Sequence, residues 1–162
     1  MTTKTANRPS AEAVAPNFDA LRLDNQLCFR LYAAAHAMNR AYRIALGPLG
    51  LTYPQYLVML ALWENDRQSV SELGERLRLD SGTLTPVLKR LEQSGVVTRA
   101  RSRADEREVE ISLTDRGHAL KLEAAGVPHA LRCRLGMSNE RIVRLQHDID
   151  QVIADLDAAQ GR

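Results

Sequence analysis

The sequence has few aromatic residues, few cysteines and no long apolar run, and each shortage excludes a class of protein. Aromatics make up 4% of the 162 residues, so a buried core must be mainly aliphatic. No apolar segment approaches the roughly 20 residues of a membrane-spanning helix, and the N-terminus lacks the apolar segment of a secretory signal. Two cysteines without such a signal argue against a structural disulfide framework. We therefore expect a cytoplasmic protein that does not contact membranes.

The charge balance and the length limit the possibilities further. A formal net charge of +2 is too small to indicate nucleic-acid binding by itself. Any case for DNA therefore depends on where the basic residues are placed. The first 20 residues are polar and aperiodic, which predicts a mobile tail, and residues 21–162 have the length of a single domain.

Helical spacing of apolar residues dominates the first half of the chain. It predicts one helix from Leu23 to about Leu46 and a second, very apolar helix at 56–64. The serine and glutamate at positions 69 and 72 have the spacing of a capping box, which opens a third helix. The next helix is predicted to begin near Thr83, because Pro86 is tolerated only where amide groups have no intrahelical partner.

Strands and further helices follow. Short strands are predicted at 96–99 and 109–114, and the second has the strict alternation of a half-buried strand. Thr114 is the expected N-cap of a helix that runs towards Arg134 and bends around residues 126–128. Ser138 opens the last helix, whose apolar residues form a narrow seam suited to a partner helix: Ile142, Leu145, Ile149, Val152 and Leu156.

Two short helices, a turn and a two-stranded ribbon have the order of a winged helix-turn-helix. The second helix fits the major groove of DNA, and the ribbon tip reaches the backbone or the minor groove. Asp105 and Arg107 are close in sequence, so one would fix the geometry of the other and leave an arginine directed at the minor groove. The candidate DNA-binding residues are small, hydrogen-bonding or charged side chains of this helix and wing: Ser81, Thr83, Thr85, Lys89, Arg90, Arg101, Arg103, Asp105 and Arg107.

The predicted architecture is mainly α with a small β-ribbon. A winged helix at about 54–114 would be flanked by dimerisation helices at about 21–47 and 115–158. A dimer reads two half-sites about one DNA turn apart, so the expected partners are a second copy and double-stranded DNA with a pseudo-palindromic operator. Ordinary packing within one chain is the alternative use of both flanking regions.

Two groups of motifs resemble a known family. SVSELGERLRLDSGTLTPVLKRLEQSGVVTR followed by DEREVEISLTDRG resembles the helix-turn-helix and wing of the MarR family of winged-helix regulators. LDNQLCFRLYAA and LGLTYPQYLVMLALWE resemble the branch of that family that senses organic hydroperoxides. The resemblance implies a repressor in which Cys28 reacts with the peroxide and Tyr42 and Tyr53 hydrogen-bond to it. It also implies that Cys133 forms an intersubunit disulfide that releases the DNA.

The residues around Cys28 are consistent with part of this chemistry. Thiolates react with peroxides and thiols react slowly, so the helix N-terminus or hydroxyl donors would have to stabilise a thiolate. Cys28 and Tyr42 are 14 residues apart, about 21 Å along one helix, so Tyr42 would have to come from the partner subunit. Apolar neighbours such as Phe29 would favour organic hydroperoxides over hydrogen peroxide.

Other functions remain open at this point. Within the same fold, the chain could be a regulator released by a small aromatic ligand, with inert cysteines. A thiol enzyme is disfavoured because there is no Cys-x-x-Cys motif and no βαβ pattern. The four histidines are too far apart in sequence for a local ligand pair, so we expect no metal and no cofactor. A scaffold protein would not need the arginines of the wing.

Overall fold

The computed structural model of the protein describes residues 17–101 and 108–161. Within these ranges it is mainly helical with a small antiparallel sheet, which confirms the predicted fold class. The chain divides into two units between Ala37 and Met38. The helices are α1 (Leu27–Leu46), α2 (Tyr53–Glu64), α3 (Val70–Leu77), α4 (Ser81–Gln93), α5 (Asp115–Ala124), α6 (Val127–Leu135) and α7 (Asn139–Ala159). The strands are β1 (Gln68–Ser69), β2 (Val97–Arg101) and β3 (Val109–Leu113).

In the first unit, two short 3-10 turns precede α1. They span Phe18–Leu21 and Leu23–Asn25, so the helix begins at position 27 and not at 23 as predicted. Side chains satisfy the carbonyls of the turns: the Asn25 amide donates to the Asp19 carbonyl at 2.8 Å, and Arg30 donates to the Asp24 carbonyl at 2.6 Å. These local bonds compete with a helical start, as polar side chains commonly do.

The second unit contains the hydrophobic core. Its centre is aliphatic, as the scarcity of aromatics predicted, and α2 contributes a large share. α2 begins three residues earlier than expected, with Pro54 in its first turn, where proline is well tolerated. The largest fully buried side chains come from α1 to α4 and from the sheet: Leu46, Val58, Met59, Leu62, Leu73, Leu84, Leu88, Leu91, Val97 and Ile111.

The helix-turn-helix consists of α3 and α4. The predicted capping box of α3 is confirmed: the Glu72 amide donates to the Ser69 hydroxyl at 3.1 Å, and the Ser69 amide donates to the Glu72 carboxylate at 2.7 Å. α4 begins at Ser81, two residues before the predicted start, because the Asp80 carboxylate accepts from the Thr83 amide at 2.9 Å.

The earlier start of α4 changes the position of Pro86. It lies inside the helix and not in the first turn as predicted. Since proline has no amide hydrogen, the helical bond from position 86 to the Gly82 carbonyl is absent. The strong cap at Asp80 therefore outweighs the local cost of the proline.

The wing is formed by β2 and β3, which pair antiparallel with Arg99 opposite Ile111. Strand β2 ends at Arg101, two residues beyond the prediction. The sequence analysis missed β1, whose Gln68 also lies opposite Ile111 on the other side of β3. The sheet order is therefore β1-β3-β2.

The helix predicted to run from 115 towards Arg134 is two helices, α5 and α6. Its expected N-cap is confirmed, since the Thr114 hydroxyl accepts from the Gly117 amide at 3.1 Å. The break follows Ala124, and Pro128 occupies the first turn of α6, where its missing amide hydrogen has no cost. Ser138 caps α7, as predicted, by accepting from the Arg141 amide at 3.3 Å.

No single helix of the described residues is long and apolar enough to cross a membrane. In the part of the chain that the structure describes, one bent pair, residues 27–49 taken together with α2, reaches that length and composition.

Candidate DNA interface and candidate thiol site

The α4 helix presents one face to the core and the other to solvent. Leu84, Leu88 and Leu91 are fully buried. The predicted DNA-binding residues lie on the remaining surface: Ser81, Thr83, Lys89 and Arg90 are exposed and Thr85 is half-buried. The core therefore fixes the direction in which this helix presents its polar side chains.

Two of these polar side chains already have partners in the helix. The Thr83 hydroxyl donates to the Asp80 carboxylate at 2.8 Å, and the Thr85 hydroxyl donates to the Ser81 carbonyl at 2.6 Å. Both threonines can still accept hydrogen bonds through their oxygens. Among the described residues, Lys89 and Arg90 have no ion-pair partner, so they are the available cationic donors of α4.

The described part of the wing contains two arginines with different surroundings. Arg101 is exposed at the end of β2. Arg99 is half-buried and lies 3.8 Å from the Glu92 carboxylate of α4, so it joins the wing to the helix. The other candidates in the wing, Arg103, Asp105 and Arg107, lie outside the described residues.

Cys28 belongs to the first unit and is exposed. It is the second residue of α1, where the free amide groups and partial positive charge of a helix N-terminus favour a negative group. Arg30, the nearest cation in sequence, is hydrogen-bonded to the Asp24 carbonyl. Leu27 and Leu31 are exposed beside it, which gives this surface an apolar character.

Tyr42 and Tyr53 lie together in the second unit. Their ring centroids are 4.3 Å apart, and Tyr56 lies 5.9 Å from Tyr42 on the same side. Burial, and next the neighbouring phenols of Tyr53 and Tyr56, raise the pKa of Tyr42 to about 12. Burial also raises the pKa of Tyr53. Both phenols therefore stay protonated at neutral pH and remain hydrogen-bond donors.

These two tyrosines line a cavity of about 590 Å³. Its other wall comes from α6 and α7 and is mainly apolar, with Arg132 as the single charged residue among those that line it. Apolar walls with a few polar groups are typical of small-molecule sites. The lining residues are Met38, Tyr42, Tyr53, Pro128, Leu131, Arg132, Leu135, Met137, Asn139, Ile142, Val143, Leu145, Gln146 and Ile149.

Cys133 is exposed on α6 and has a neighbour that the sequence analysis did not recognise. Its sulfur lies 3.9 Å from both Nδ1 and Nε2 of His129. The signal was present in the sequence, because residues four apart on a helix face one another. It was missed because the histidines were compared only with each other.

Comparisons with known proteins agree with this arrangement. A family model described as transcriptional regulator SarA/Rot matches residues 41–123. Over 156 residues the chain is 50% identical to the HTH-type transcriptional regulator TtmR of Methylorubrum extorquens, covering 96% of this chain and 80% of the relative. Over 123 residues it is 51% identical to the organic hydroperoxide resistance transcriptional regulator of Bacillus subtilis, and the match covers 76% of this chain and 82% of that relative. The chain belongs to the MarR family, in its organic hydroperoxide resistance branch.

Solved structures support the MarR-family fold. The structure of reduced AbfR bound to DNA has a TM-score of 0.69 and 37% identity, covering 86% of this chain and 96% of that one. AbfR is a protein of Staphylococcus epidermidis. Its disulfide-formed structure has a TM-score of 0.58 and 36% identity, covering 90% of this chain and 97% of that one.

The four residues that the MarR resemblance assigns to sensing are therefore placed as follows. Tyr42 and Tyr53 are in contact. Cys28 lies in the first unit and Cys133 lies on α6 in the second, and both thiols are free. Tyr56 completes a cluster of three tyrosines. The sequence analysis placed Tyr56 in the second helix but did not include it in the site.

Proposed function

We propose that the protein is a homodimeric DNA-binding repressor that binds a pseudo-palindromic operator with α4 and the wing. The support is the exposed polar face of α4, held in place by three fully buried leucines of the same helix. Lys89, Arg90 and Arg101 supply cations for phosphates and base edges. Ser81, Thr83 and Thr85 supply hydroxyl oxygens, and Arg103, Asp105 and Arg107, which lie outside the described residues, are the further proposed DNA contacts.

The dimer is supported by the apolar seam of α7. Leu145, Ile149 and Leu156 are 45%, 38% and 53% exposed in the single chain. Large aliphatic side chains at helical spacing, left open to water, are typical of a helix that packs against another copy. A two-fold dimer would place two α4 helices on successive half-sites of the operator.

The inducer is an organic hydroperoxide, and Cys28 is its target. The observation that carries this proposal is the pair of protonated phenols, Tyr42 and Tyr53, on the wall of an apolar cavity. Phenol donors stabilise a thiolate, and an apolar site admits an organic peroxide. Because Cys28 and Tyr42 are 14 residues apart in sequence, about 21 Å if one helix spans them, the tyrosines act on the cysteine of the partner subunit.

The reaction has two steps. The Cys28 thiolate attacks the peroxide, the O–O bond breaks, and one oxygen transfers to sulfur while the alcohol leaves, which gives a sulfenic acid. Cys133 of the other subunit then attacks that sulfur, a disulfide forms and water leaves. One peroxide is consumed in each event, so the protein is a sensor and not an enzyme.

Disulfide formation would alter DNA binding through α7. Bridged cysteines need Cα atoms within about 7 Å, so we expect α1 and α6, which carry the two cysteines, to shift when the bond forms. A shift of α6 would displace α7, because only residues 136–138 separate the two helices. Arg78, in the turn between α3 and α4, is paired with Asp157 of α7 at 2.7 Å. A displacement of α7 would therefore reach the helix-turn-helix directly and change the spacing of the two α4 helices.

The test combines cross-linking with DNA binding. Wild type, Cys28→Ser and Cys133→Ser are treated with cumene hydroperoxide and run on non-reducing gels. The same samples are titrated with duplexes selected from a randomised library by the reduced protein. We expect a covalent dimer and loss of DNA binding only in wild type, both reversed by dithiothreitol. A covalent dimer that forms equally in Cys28→Ser contradicts the assignment of the sensing cysteine.

A second candidate function is favoured by the same cavity. A small aromatic molecule would fit a space of about 590 Å³ lined by Tyr42, Tyr53 and Arg132. In that case the protein is a ligand-released regulator with inert cysteines. DNA release by peroxide that also occurs in the double variant Cys28→Ser/Cys133→Ser, and that dithiothreitol does not reverse, would favour it.

A further inference from the structure

We infer that His129 is the proton acceptor for Cys133 when this thiol forms the disulfide, an inference that rests on the proposed function. The Cys133 sulfur lies 3.9 Å from both ring nitrogens of His129. The two residues are one turn apart on α6, so the helix itself brings the imidazole to the thiol. Among the described residues, no other side chain lies within hydrogen-bonding distance of this sulfur.

The two cysteines lie at opposite ends of their helices. This difference explains why Cys133 needs a base and Cys28 does not. Cys28 is in the first turn of α1, where free amide groups favour a negative sulfur. Cys133 is in the last turn of α6, which ends at Leu135. Partial negative charge at a helix C-terminus opposes a second negative charge there. Cys133 therefore benefits from a base that removes the proton only as the sulfur attacks.

The other charged groups near the pair do not replace this base. Arg132 and Arg134 are adjacent in sequence but point about 100° away around the helix on either side. Arg132 lines the cavity, and the inward face of α6 carries the apolar Val127 and Leu131. No described carboxylate forms an ion pair with His129.

The proton and electron balance is complete without a further reactant. Neutral His129 accepts the Cys133 thiol proton as the sulfur attacks the sulfenic sulfur of Cys28. The S–S bond forms, the S–O bond breaks, and the departing hydroxide takes the proton from the imidazolium. Water leaves and His129 is neutral again. The hydroperoxide consumed in the first step is the oxidant.

A metal site is a poorer use of this pair. Cysteine and histidine four residues apart on a helix have a spacing that suits a metal, but a structural zinc site needs four ligands. The described residues contain no group of three or more possible ligands. His129 and Cys133 alone supply two ligands on an exposed helix face, so acid–base chemistry is the better explanation of the pair.

The experiment separates the two steps in the full-length reduced protein. Wild type, His129→Gln and His129→Ala receive one equivalent of cumene hydroperoxide, and samples are quenched over time. Dimedone labelling followed by mass spectrometry reports sulfenic acid on Cys28, and non-reducing gels report the disulfide. His147→Gln is the matched control, because His147 is a histidine on α7 that contacts Gln151 and no cysteine.

We expect the rate of sulfenic acid formation to be unchanged in both His129 variants and the disulfide to form about tenfold more slowly or worse at neutral pH. Free imidazole should restore the rate in His129→Ala, which a merely structural role would not allow. The pH profile of the disulfide rate should differ between wild type and His129→Gln, because only wild type has the imidazole that takes up the thiol proton.

Several outcomes would overturn the inference, and they differ from those that would overturn the proposed function. Equal disulfide rates and pH profiles in wild type and His129→Gln remove the role of His129 and leave the sensor intact. Equal slowing in His147→Gln, or slower dimedone labelling in the His129 variants, also rejects it. The absence of any dimedone adduct on Cys28 in Cys133→Ser, where no second thiol consumes the sulfenic acid, rejects the proposed function itself.

Discussion

The helix-turn-helix and α7 use the same kind of side chain in opposite ways. In the helix-turn-helix, Leu73, Leu84 and Leu88 are completely buried. Within the described chain, α7 buries none of its side chains completely, although its aliphatic residues repeat with similar regularity. Periodicity therefore predicts an apolar face, but it does not show whether that face is buried within the same chain.

The largest expected effect is a loss of core packing. Leu88→Ala should lower the free energy of unfolding by about 2–5 kcal/mol, because a fully buried leucine leaves a cavity when it is truncated. Urea unfolding at a fixed protein concentration measures this. Leu156→Ala, on the half-exposed face of α7, is the comparison variant. Measured at the lowest protein concentration that the method allows, it should lower the free energy of unfolding less than Leu88→Ala does. An equal loss of stability in Leu156→Ala would show that the leucines of α7 are as well packed within one chain as those of the helix-turn-helix.

The next effect tests the seam of α7 directly. Leu145→Glu should weaken the dimer by about 100-fold or more, or about 2.8 kcal/mol, because a carboxylate would be buried in an apolar interface. Sedimentation velocity over a range of concentrations measures the dissociation constant. Ala154→Glu places the same charge on the opposite face of α7 and should leave the dimer unchanged. A dimer that survives Leu145→Glu would assign the exposed leucines to another role.

An intermediate effect concerns the tyrosine cluster at the edge of the core. The pKa of Tyr42 is raised from 10.0 to about 12, so the folded protein keeps a proton that the unfolded chain releases. This contribution to stability is complete below about pH 10 and is lost as the pH rises to about 12. Tyr42→Phe should make the alkaline loss of stability shallower in urea unfolding. Tyr32→Phe removes an exposed phenol as the control, and an equal change there would contradict the explanation.

The smallest effect concerns the ion pair between the helix-turn-helix and α7. Arg78 and Asp157 are partly exposed, so their coupling should be about 0.2–1 kcal/mol in a double-mutant cycle of Arg78→Gln and Asp157→Asn. High salt should reduce it, since exposed charges are screened. A coupling of zero at low salt would remove this ion pair as a link between α7 and the helix-turn-helix.

Most local features of the fold could be predicted from the sequence because neighbouring residues determine them. The caps at Ser69, Thr114 and Ser138 were predicted from the residue types at the helix starts, and all three are present. The alternation in β3 similarly predicted its position. The two-residue strand β1 was missed because two residues have no measurable period.

The candidate site could be predicted only in part, because its geometry depends on residues far apart in the chain. The contact between Tyr42 and Tyr53 depends on the turn at Gly50, which adopts a left-handed conformation at φ 65°. The start of α4 depended on a competition between Asp80 and Pro86 that spacing alone does not decide. The roles of Cys28, Cys133 and the DNA-binding residues remain predictions.

Ser69 has a consequence for how the protein would leave DNA. This residue belongs to β1, opposite Glu110 of the wing strand β3, and it is also the N-cap of α3. The wing therefore cannot tilt away from the helix-turn-helix without breaking a strand pair or a helix cap. We expect the major-groove and minor-groove contacts to be made and broken together, so that each half-site is either fully engaged or empty.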